Sequence, residues 1–371
     1  MPNAIIAMLR KPREPLWRYK FEEFRKLANA AGYTILGEVI QVKMAPLAAT
    51  LFGRGKISEI KKLADEVHAD VILVYNTLKS IQKVNLELLT QRTVLDRYDL
   101  TLEIFAANAS DAVSKLQIEL AKIQKEIPYI KLITSLVHRK DRPFIRAGGE
   151  YGWSPKVAEL RRRMKKLREE IQRYRDNKVR QIMERKQRGF VLTCIVGYYN
   201  AGKTTLFNAL TYENKPTSDL PFTTLSSKYS RLAGSDRILL IDTIGFVIDL
   251  DPRIIKSFEI NIDDMRFSDI LLLVIDSSDP PDWLRIKAQT SVKLLKETGA
   301  LTSQKPLVVA MNKVDLLENK YEIESRKVII TEVLNEVNVN KRNVRIVPIS
   351  AKNGQGLEDL LKEILELSKV A

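Results

Sequence analysis

The chain has 371 residues, 45% of them hydrophobic, and a formal net charge of +15, which is the composition of a basic globular protein with room for two or three domains. Its single cysteine excludes disulfide bonds within the chain, and two histidines beside that cysteine exclude a zinc site built from the usual ligands. The amino-terminal apolar stretch is too short for a secretory signal and no run approaches the roughly 18 apolar residues of a membrane span, so we expect a cytoplasmic protein.

The first predicted domain covers residues 1–105 and alternates strands with helices. Residues 33–42 and 71–75 are rich in valine and isoleucine, as strands are, and residues 57–67 have helical periodicity. This alternation predicts an α/β domain with a parallel sheet. Residues 52–56, Phe-Gly-Arg-Gly-Lys, could bind an anion at the amino end of that helix. Because they lack the full spacing of a phosphate loop, a tight turn with basic flanks explains them better.

Residues 106–188 are predicted to form an antiparallel helical hairpin. Apolar residues recur at spacings of three and four in two stretches, which is typical of helices that bury a shared seam. They are Val113, Leu116, Leu120, Ile123 and Ile127 in the first stretch, and Val157, Leu160, Met164, Leu167, Ile171 and Tyr174 in the second. We expect Pro128 to end the first helix. The loop at 143–154 carries Phe144, Arg146, Tyr151 and Trp153, which suit stacking on exposed bases and equally suit packing against a neighbouring domain.

The excess positive charge lies on the second helix of this hairpin. Residues 139–188 contain 18 Lys and Arg against 7 Asp and Glu, whereas residues 189–371 are close to neutral. The basic cluster consists of Arg161, Arg162, Arg163, Lys165, Lys166, Arg168, Arg173, Arg175, Lys178, Arg180, Arg185, Lys186 and Arg188. A surface of this kind attracts polyphosphate through counterion release, so RNA is the first partner that it suggests. A solvated helix also carries many charges, but it usually balances their signs, so we expect this basic face to point outward and bind RNA.

Residues 189–371 are predicted to form a nucleotide-binding domain that begins with a phosphate loop. Residues 197–204 read Gly-Tyr-Tyr-Asn-Ala-Gly-Lys-Thr, between an apolar strand and a helix-forming run. Gly197 and Gly202 allow backbone N–H groups to point at phosphate oxygens. Lys203 is then expected to reach the β and γ phosphates, and Thr204 to place its hydroxyl on Mg²⁺. The further expected contacts are Tyr198, Tyr199, Asn200, Ala201 and Thr205. The simpler alternative is an ordinary strand-to-helix turn beside a lysine.

Two further loops are expected to respond to the γ-phosphate. The first is Asp242-Thr243-Ile244-Gly245, which follows a predicted strand at 237–242. Its carboxylate can hold Mg²⁺ through water and its glycine N–H can sense the γ-phosphate. The second carries Phe222, Thr223 and Thr224. One of these two threonines is expected to ligate Mg²⁺, with Thr224 favoured over Thr223; alternatively, both are strand-edge threonines. The predicted metal ligands are therefore Thr204, Thr224 and Asp242.

Two motifs after later strands predict guanine recognition. A strand at 306–311 precedes Asn312-Lys313-Val314-Asp315. The Asp315 carboxylate can accept from the N1 and exocyclic amine hydrogens of guanine, a donor pair that adenine does not offer. The last strand, at 344–349, precedes Ser350-Ala351-Lys352, which can contact the guanine carbonyl and stack over the base. Each motif alone is weak, but four in this order, each after a predicted strand, indicate a GTPase.

The whole chain resembles the HflX family of GTPases, of the translation-factor class, and most of all its short archaeal form. Besides the nucleotide motifs, the resemblance rests on Gly-Arg-Gly-Lys at 53–56, on Val-Leu-Asp-Arg at 94–97 leading into Leu-Glu-Ile-Phe-Ala at 102–106, and on residues 115–121. It implies that an α/β domain, a helical hairpin and a P-loop GTPase domain together bind the large ribosomal subunit and its rRNA. It also implies an activity in splitting or rescuing stalled ribosomes. We expect the protein to be a monomer.

The residue after the Asp242 motif is unusual for a GTPase. Small signalling GTPases place a glutamine there to orient the attacking water, but this chain has Phe246. A phenyl ring cannot hydrogen-bond, so we expect slow intrinsic hydrolysis that is assisted by a ribosomal group or by K⁺ held near Asn200, as in cation-dependent relatives. The expected catalytic residues are Lys203, Thr224, Gly245 and Asn200. The alternative function is a GTP-switched RNA- or protein-binding module in which hydrolysis is incidental.

Overall fold

A computed structural model describes residues 1–14, 16–141, 155–211, 213, 227–249, 251–340 and 343–369. The chain divides into two compact units, one made of residues 1–107 and 115–172 and the other of residues 108–114 and 173–371. The division into three domains at 1–105, 106–188 and 189–371 stays a prediction. The loop at 143–154 and the threonine-bearing residues Phe222, Thr223 and Thr224 lie outside the described residues.

The amino-terminal unit contains the predicted parallel α/β sheet. Its strands are β1 (Asn3–Arg10), β2 (Thr34–Val42), β3 (Val71–Val74) and β4 (Thr93–Asp96), in the order β2-β1-β3-β4. All of their pairings are parallel. The helices are α1 (Trp17–Ala30), α2 (Arg54–Glu66), α3 (Ser80–Thr90) and α4 (Arg97–Asn108). The sequence analysis gave no strand at residues 3–10, yet β1 is central and almost wholly buried, which is why it is a continuous apolar run and not an alternating one.

The predicted hairpin is present as α5 (Ala112–Asp141) and α6 (Pro155–Gln187). The seam contains Leu116, Leu120, Ile123, Ile127, Ile130, Val157, Leu160, Met164, Leu167 and Ile171. Two ion pairs, Glu119 with Arg163 and Glu126 with Lys156, advance in opposite directions along the two helices. The helices therefore run antiparallel, as predicted. Val113 and Tyr174, which we also expected in the seam, lie outside this cluster, and Tyr174 is exposed.

Pro128 does not end α5, contrary to the expectation from sequence. The helix continues through it for another thirteen residues. Proline inside a helix removes one backbone hydrogen bond and costs about 3 kcal/mol. Residues beyond it compensate, because Ile130 packs in the hairpin seam and the Tyr129 hydroxyl donates to Glu87 Oε2 at 2.7 Å.

The carboxyl-terminal unit is built on a six-stranded sheet. Its strands are β5 (Val191–Gly197), β6 (Lys228–Arg231), β7 (Ile238–Asp242), β8 (Ile270–Asp276), β9 (Leu307–Asn312) and β10 (Val344–Pro348), in the order β10-β9-β8-β5-β7-β6. Only the β6–β7 pairing is antiparallel among these pairs. The helices are α7 (Lys203–Thr211), α8 (Pro252–Ser257), α9 (Glu259–Phe267), α10 (Pro281–Glu297), α11 (Lys320–Glu336) and α12 (Leu357–Ser368). The chain goes from β5 to β7 on one side and to β8 on the other, so a binding crevice is expected where β5 ends.

The last part of α6 packs on α9 through charges, which corrects part of the outward-facing basic cluster. Arg175 makes two hydrogen bonds to Asp263, at 2.6 and 3.0 Å, and one to Glu259. Lys178 pairs with Asp264, which is also the acceptor of the Tyr229 hydroxyl. Lys186 pairs with Asp269, and the Arg185 guanidinium lies 4.0 Å from the centre of the Tyr229 ring. These four basic residues are neutralised within the unit, because acids on a neighbouring helix balance the helix that looked unbalanced in sequence.

Candidate nucleotide site

The predicted phosphate loop connects the end of β5 to the start of α7. Two of its glycines are required by close backbone approach: a Cβ on Gly197 would lie 2.3 Å from the carbonyl oxygen of Val274, and one on Gly202 would lie 2.2 Å from Asn312 Nδ2. Both have positive φ angles, 144° and 90°. Asn200 is exposed and also left-handed, with φ of 57°. The loop is therefore the open, backbone-lined turn that phosphate binding needs, and the ordinary-turn alternative does not explain its two crowded glycines.

Lys203 is held under this loop at the first position of α7. Its side chain is 7% exposed, and Nζ donates to the carbonyl oxygen of Tyr198 at 2.7 Å. Burial lowers the pKa of Lys203 from 10.5 to about 8, and the nearby Asp242 carboxylate acts in the opposite direction. The ammonium is thus poorly solvated and would gain from a phosphate oxygen placed beside it.

Thr204 and Asp242 bring two oxygen donors together next to Lys203. The Thr204 hydroxyl donates to Asp242 Oδ2 at 3.2 Å, and Asp242 is buried at the end of β7. A hydroxyl and a carboxylate are ligands that Mg²⁺ accepts, and this ion usually takes only one or two protein ligands and completes its shell with water and phosphate oxygens. The described residues contain no group of three His, Cys, Asp or Glu that could form an all-protein metal site. The pair therefore fits Mg²⁺ bound together with a nucleotide.

The loop after Asp242 lies directly against the phosphate loop. Thr243 donates its hydroxyl to the carbonyl of Ile195 at 2.7 Å, and Ile244 is half-buried. A Cβ on Gly245 would lie 2.9 Å from Tyr199 Cα and 3.0 Å from Lys203 Nζ, so only glycine fits here. The backbone N–H of Gly245 is consequently carried by a residue that touches the lysine expected at the γ-phosphate.

Phe246 is fixed against the phosphate loop and is only 4% exposed. Its N–H donates to Gly197 O at 3.0 Å and its carbonyl accepts from Tyr199 N at 2.9 Å. The hydroxyl of Tyr198 accepts from the N–H of Ile248 at 2.7 Å. The two loops are thus paired along their backbones, and the residue in the glutamine position is buried and apolar.

The guanine motif begins at the end of β9. Asn312 Nδ2 donates to Ala201 O at 2.9 Å and its Oδ1 accepts from Ala351 N at 2.9 Å, so one side chain connects the phosphate loop to the last motif. Lys313 adopts a left-handed conformation and pairs with Asp276. Asp315 is exposed in a short 3-10 helix (Val314–Leu316).

The last motif follows β10. Ser350 is buried, and its hydroxyl accepts from Asn353 N at 3.2 Å, while Ala351 is buried and Lys352 is exposed. Thr205 is half-buried in α7. The structure therefore brings all the predicted site residues that it describes to one edge of the sheet.

Sequence reasoning missed two features of this site. Asp276 ends β8 and contacts Lys313, but no motif marks it; its only signal was a carboxylate closing an apolar strand. Tyr198 was expected as a phosphate-loop contact, but its role in holding the Asp242 loop through Ile248 depends on a side-chain direction that the sequence does not contain.

Three family models match the chain. Residues 18–106 match "GTP-binding GTPase N-terminal", residues 192–313 match "50S ribosome-binding GTPase", and residues 264–368 match "ADP-ribosylation factor family". The first two models fall on the two α/β sheets described above.

Curated relatives match over nearly the full chain. GTPase HflX of Thermococcus kodakarensis is 37% identical over 99% of this chain and 82% of the relative. GTPase HflX of Saccharolobus solfataricus is 30% identical over 94% of this chain and 95% of the relative. A crystal structure of a protein named SsGBP in complex with GDP is 26% identical, with a TM-score of 0.53 over 100% of this chain and 99% of that chain. Within the described part of the chain, no helix has the length and apolar character that crossing a bilayer requires.

Proposed function

Because this chain belongs to the HflX family of GTPases, and therefore binds and hydrolyses GTP, we propose that it acts on ribosomes. We propose that it binds the large subunit through rRNA and takes part in splitting or rescue of stalled ribosomes. One of the matching family models is described as a 50S ribosome-binding GTPase, which supports this partner. The proposal includes a monomeric enzyme in the cytoplasm, the compartment in which ribosomes work.

The observation that carries the proposal is an exposed basic stripe on the first part of α6. Its members are Arg161, Arg162, Lys165, Lys166, Arg168 and Arg173, all exposed. Four basic residues further along the same helix are consumed by acids and by Tyr229, as described above. The charge that stays available to a polyanion is therefore concentrated near the hairpin.

We propose the following roles in the nucleotide site. Lys203 and the N–H groups of residues 197–204 hold the β and γ phosphates, and the Gly245 N–H contacts the γ-phosphate. Thr204 and Asp242, with Thr224 or Thr223, hold Mg²⁺, which offsets the negative charge that develops on the phosphoryl oxygens. Asp315 selects guanine, and Ser350, Ala351 and Lys352 contact the base.

The chemical step then lacks a side chain that orients water. Phe246 is buried and paired through its backbone, so it has no donor or acceptor to offer the attacking water. We propose that hydrolysis is slow in the isolated protein and that a ribosomal group, K⁺ held near Asn200, or both supply what is missing.

The decisive experiment is a charge reversal on the basic stripe. Arg161→Glu/Arg162→Glu is expected to reduce the stimulation of GTP hydrolysis by large ribosomal subunits at least ~10-fold, because both residues face solvent and their loss removes phosphate contacts. The rate without ribosomes is expected to stay the same. The salt dependence of subunit binding is expected to flatten by about two charges' worth.

A matched control is Lys320→Glu/Lys362→Glu, which changes the net charge equally at exposed positions on α11 and α12. It is expected to keep the full stimulation. If both variants lose stimulation equally, general charge and not the stripe is responsible. If wild-type protein is not stimulated at all, the alternative of a GTP-switched binding module gains support.

A further inference from the structure

The end of β8 places an unassigned carboxylate beside the guanine motif. In the parallel pairing of β8 with β9, Asp276 is the direct partner of Asn312, the first residue of that motif. Ser277 N donates to Asn312 O at 2.8 Å and continues this pairing. The sheet register therefore fixes Asp276 next to the residue that precedes Lys313.

Lys313 turns back toward this carboxylate. Its φ and ψ angles are 66° and 32°, a left-handed conformation that is uncommon for a residue with a Cβ, and its Nζ lies 2.6 Å from Asp276 Oδ2. The Asp276 side chain is 10% exposed and that of Lys313 is 26% exposed, so bulk water screens the pair only in part. Both ends of the lysine side chain are thereby held.

Asp276 is itself fixed by a second set of bonds. Its Oδ1 accepts from Ser278 N at 3.0 Å and from the Ser278 hydroxyl at 2.6 Å. One oxygen is thus held by the backbone turn while the other holds Lys313. A carboxylate restrained in this way can orient a flexible partner without losing its own orientation.

We propose that Asp276 is a positioning residue for guanine binding: it holds the Lys313 side chain so that the aliphatic stem forms one wall of the base site. A lysine side chain has many rotamers, and immobilising it during binding reduces affinity. The Asp276 pair removes that loss because the stem is ordered in advance. The inference rests on the placement of guanine at Asn312–Asp315 proposed above.

Asp276→Asn is the central test, with mant-GDP and GTP as the probes. Asparagine keeps an acceptor for Ser278 but loses the charge that holds Lys313. The Kd for mant-GDP and the KM for GTP are expected to rise roughly 10-fold, which corresponds to about 1.4 kcal/mol. The value of kcat at saturating GTP is expected to be unchanged, since Asp276 acts through the base and not on the phosphates. ITP binding is expected to weaken by the same factor, because the wall contacts the ring and not the exocyclic amine.

A double-mutant cycle shows whether Asp276 acts through Lys313. In a Lys313→Met background, Asp276→Asn is expected to weaken mant-GDP binding no further. Equal weakening in both backgrounds, or no weakening in the wild-type background, overturns the proposal. Ser278→Ala removes one restraint on Asp276 without touching its charge, and a smaller loss of affinity in the same direction is expected from it. If Asp276→Asn does not fold, Ser278→Ala carries the test alone, and unchanged affinity in that variant rejects the proposal.

Two controls separate this inference from its premise. Glu332→Gln removes a charge that pairs with Arg285 on the surface of the same unit and is expected to leave mant-GDP affinity unchanged. Asp315→Asn is expected to shift selectivity from GTP toward XTP, because an amide can donate to the C2 carbonyl of xanthine. Without that shift the placement of guanine fails, whereas a shift together with normal binding by Asp276→Asn rejects only the role of Asp276.

Discussion

Single side chains hold the loops of the nucleotide site to one another. Asn312 connects the phosphate loop to the last motif by two hydrogen bonds of 2.9 Å. The Tyr198 hydroxyl holds the Asp242 loop through the N–H of Ile248. A buried N–H left without its acceptor costs about 1–3 kcal/mol, so each bridge stabilises two loops at once. The positions of the loops therefore depend on a few named residues.

Lys203 makes a pH-dependent prediction at this scale. In the protein without nucleotide its pKa is about 8, whereas an unfolded chain has the ordinary 10.5, because burial disfavours the ammonium. Bound phosphates favour the ammonium and raise the pKa again. Above pH 8 the lysine must take up a proton when GDP binds, so the Kd is expected to increase with pH by up to about 10-fold per unit.

Calorimetric titration of GDP at pH 7.0 to 9.5, in two buffers of different ionisation enthalpy, measures this proton uptake. Near pH 7 the lysine is already charged and little uptake is expected. Lys203→Arg, whose side chain stays charged over the whole range, is the control and is expected to lose the pH dependence if it still binds GDP. Proton release, or a Kd that is flat up to pH 9.5, would contradict the prediction.

At the scale of helices and strands, the contact of α6 with α9 depends on buried acids. Asp263 is 1% exposed, and Arg175 approaches it with two nitrogens of its guanidinium. Arg266 also pairs with Asp263, but with a single bond of 3.3 Å. The pair is therefore the geometry in which an ion pair is hard to remove without loss of stability.

Arg175→Met is expected to lower the free energy of unfolding by about 3 kcal/mol, because it leaves the Asp263 charge buried with one weak partner. Urea denaturation monitored by circular dichroism measures the loss. Arg173→Met removes an exposed arginine from the same helix and is expected to change stability by less than about 0.5 kcal/mol. Adding Asp263→Asn to Arg175→Met is expected to recover part of the loss, and equal stability of Arg175→Met and wild type would exclude a contribution from this pair.

The elements that could be predicted from sequence are those with a repeating or flanking signal. The hairpin seam followed from apolar spacing, and the strands of the nucleotide sheet followed from apolar runs that end in motif residues such as Asp242 and Asn312. Strand β1 was missed because a fully buried strand has no alternation. The helix break at Pro128 was wrong because local preference was outweighed by packing beyond it.

The site was predictable to the same extent and for the same reason. Each motif lies at a strand end, and parallel strands bring their carboxyl ends to one edge, so order along the chain was enough to group the loops. Asp276 and the partners of Arg175 and Lys178 lie 37 or more residues from the groups that they contact. Such pairs depend on sheet register and helix packing, which no local pattern encodes.

At the scale of the whole molecule, the distribution of charge separates the two tasks of the protein. The nucleotide site uses a few buried charges, Lys203 and Asp242 among them, whereas the exposed basic stripe on α6 carries no such pairing with the site. Reversing the stripe should consequently change ribosome stimulation and leave intrinsic hydrolysis alone, as set out above. The missing water-orienting residue is then the only feature that makes the chemical step depend on something outside the chain.

A comparison of cations tests whether that outside contribution is an ion. GTP hydrolysis by wild-type protein is expected to be faster in KCl than in NaCl at equal ionic strength, since a K⁺ beside the phosphates adds positive charge that Phe246 cannot replace. Asn200→Gly is the informative variant, because glycine tolerates the φ of 57° while the side-chain carbonyl is removed. It is expected to hydrolyse GTP equally in both salts and to bind GDP normally. If wild-type rates are equal in the two salts both with and without large ribosomal subunits, K⁺ has no role; if Asn200→Gly keeps the preference for KCl, another oxygen is the ligand.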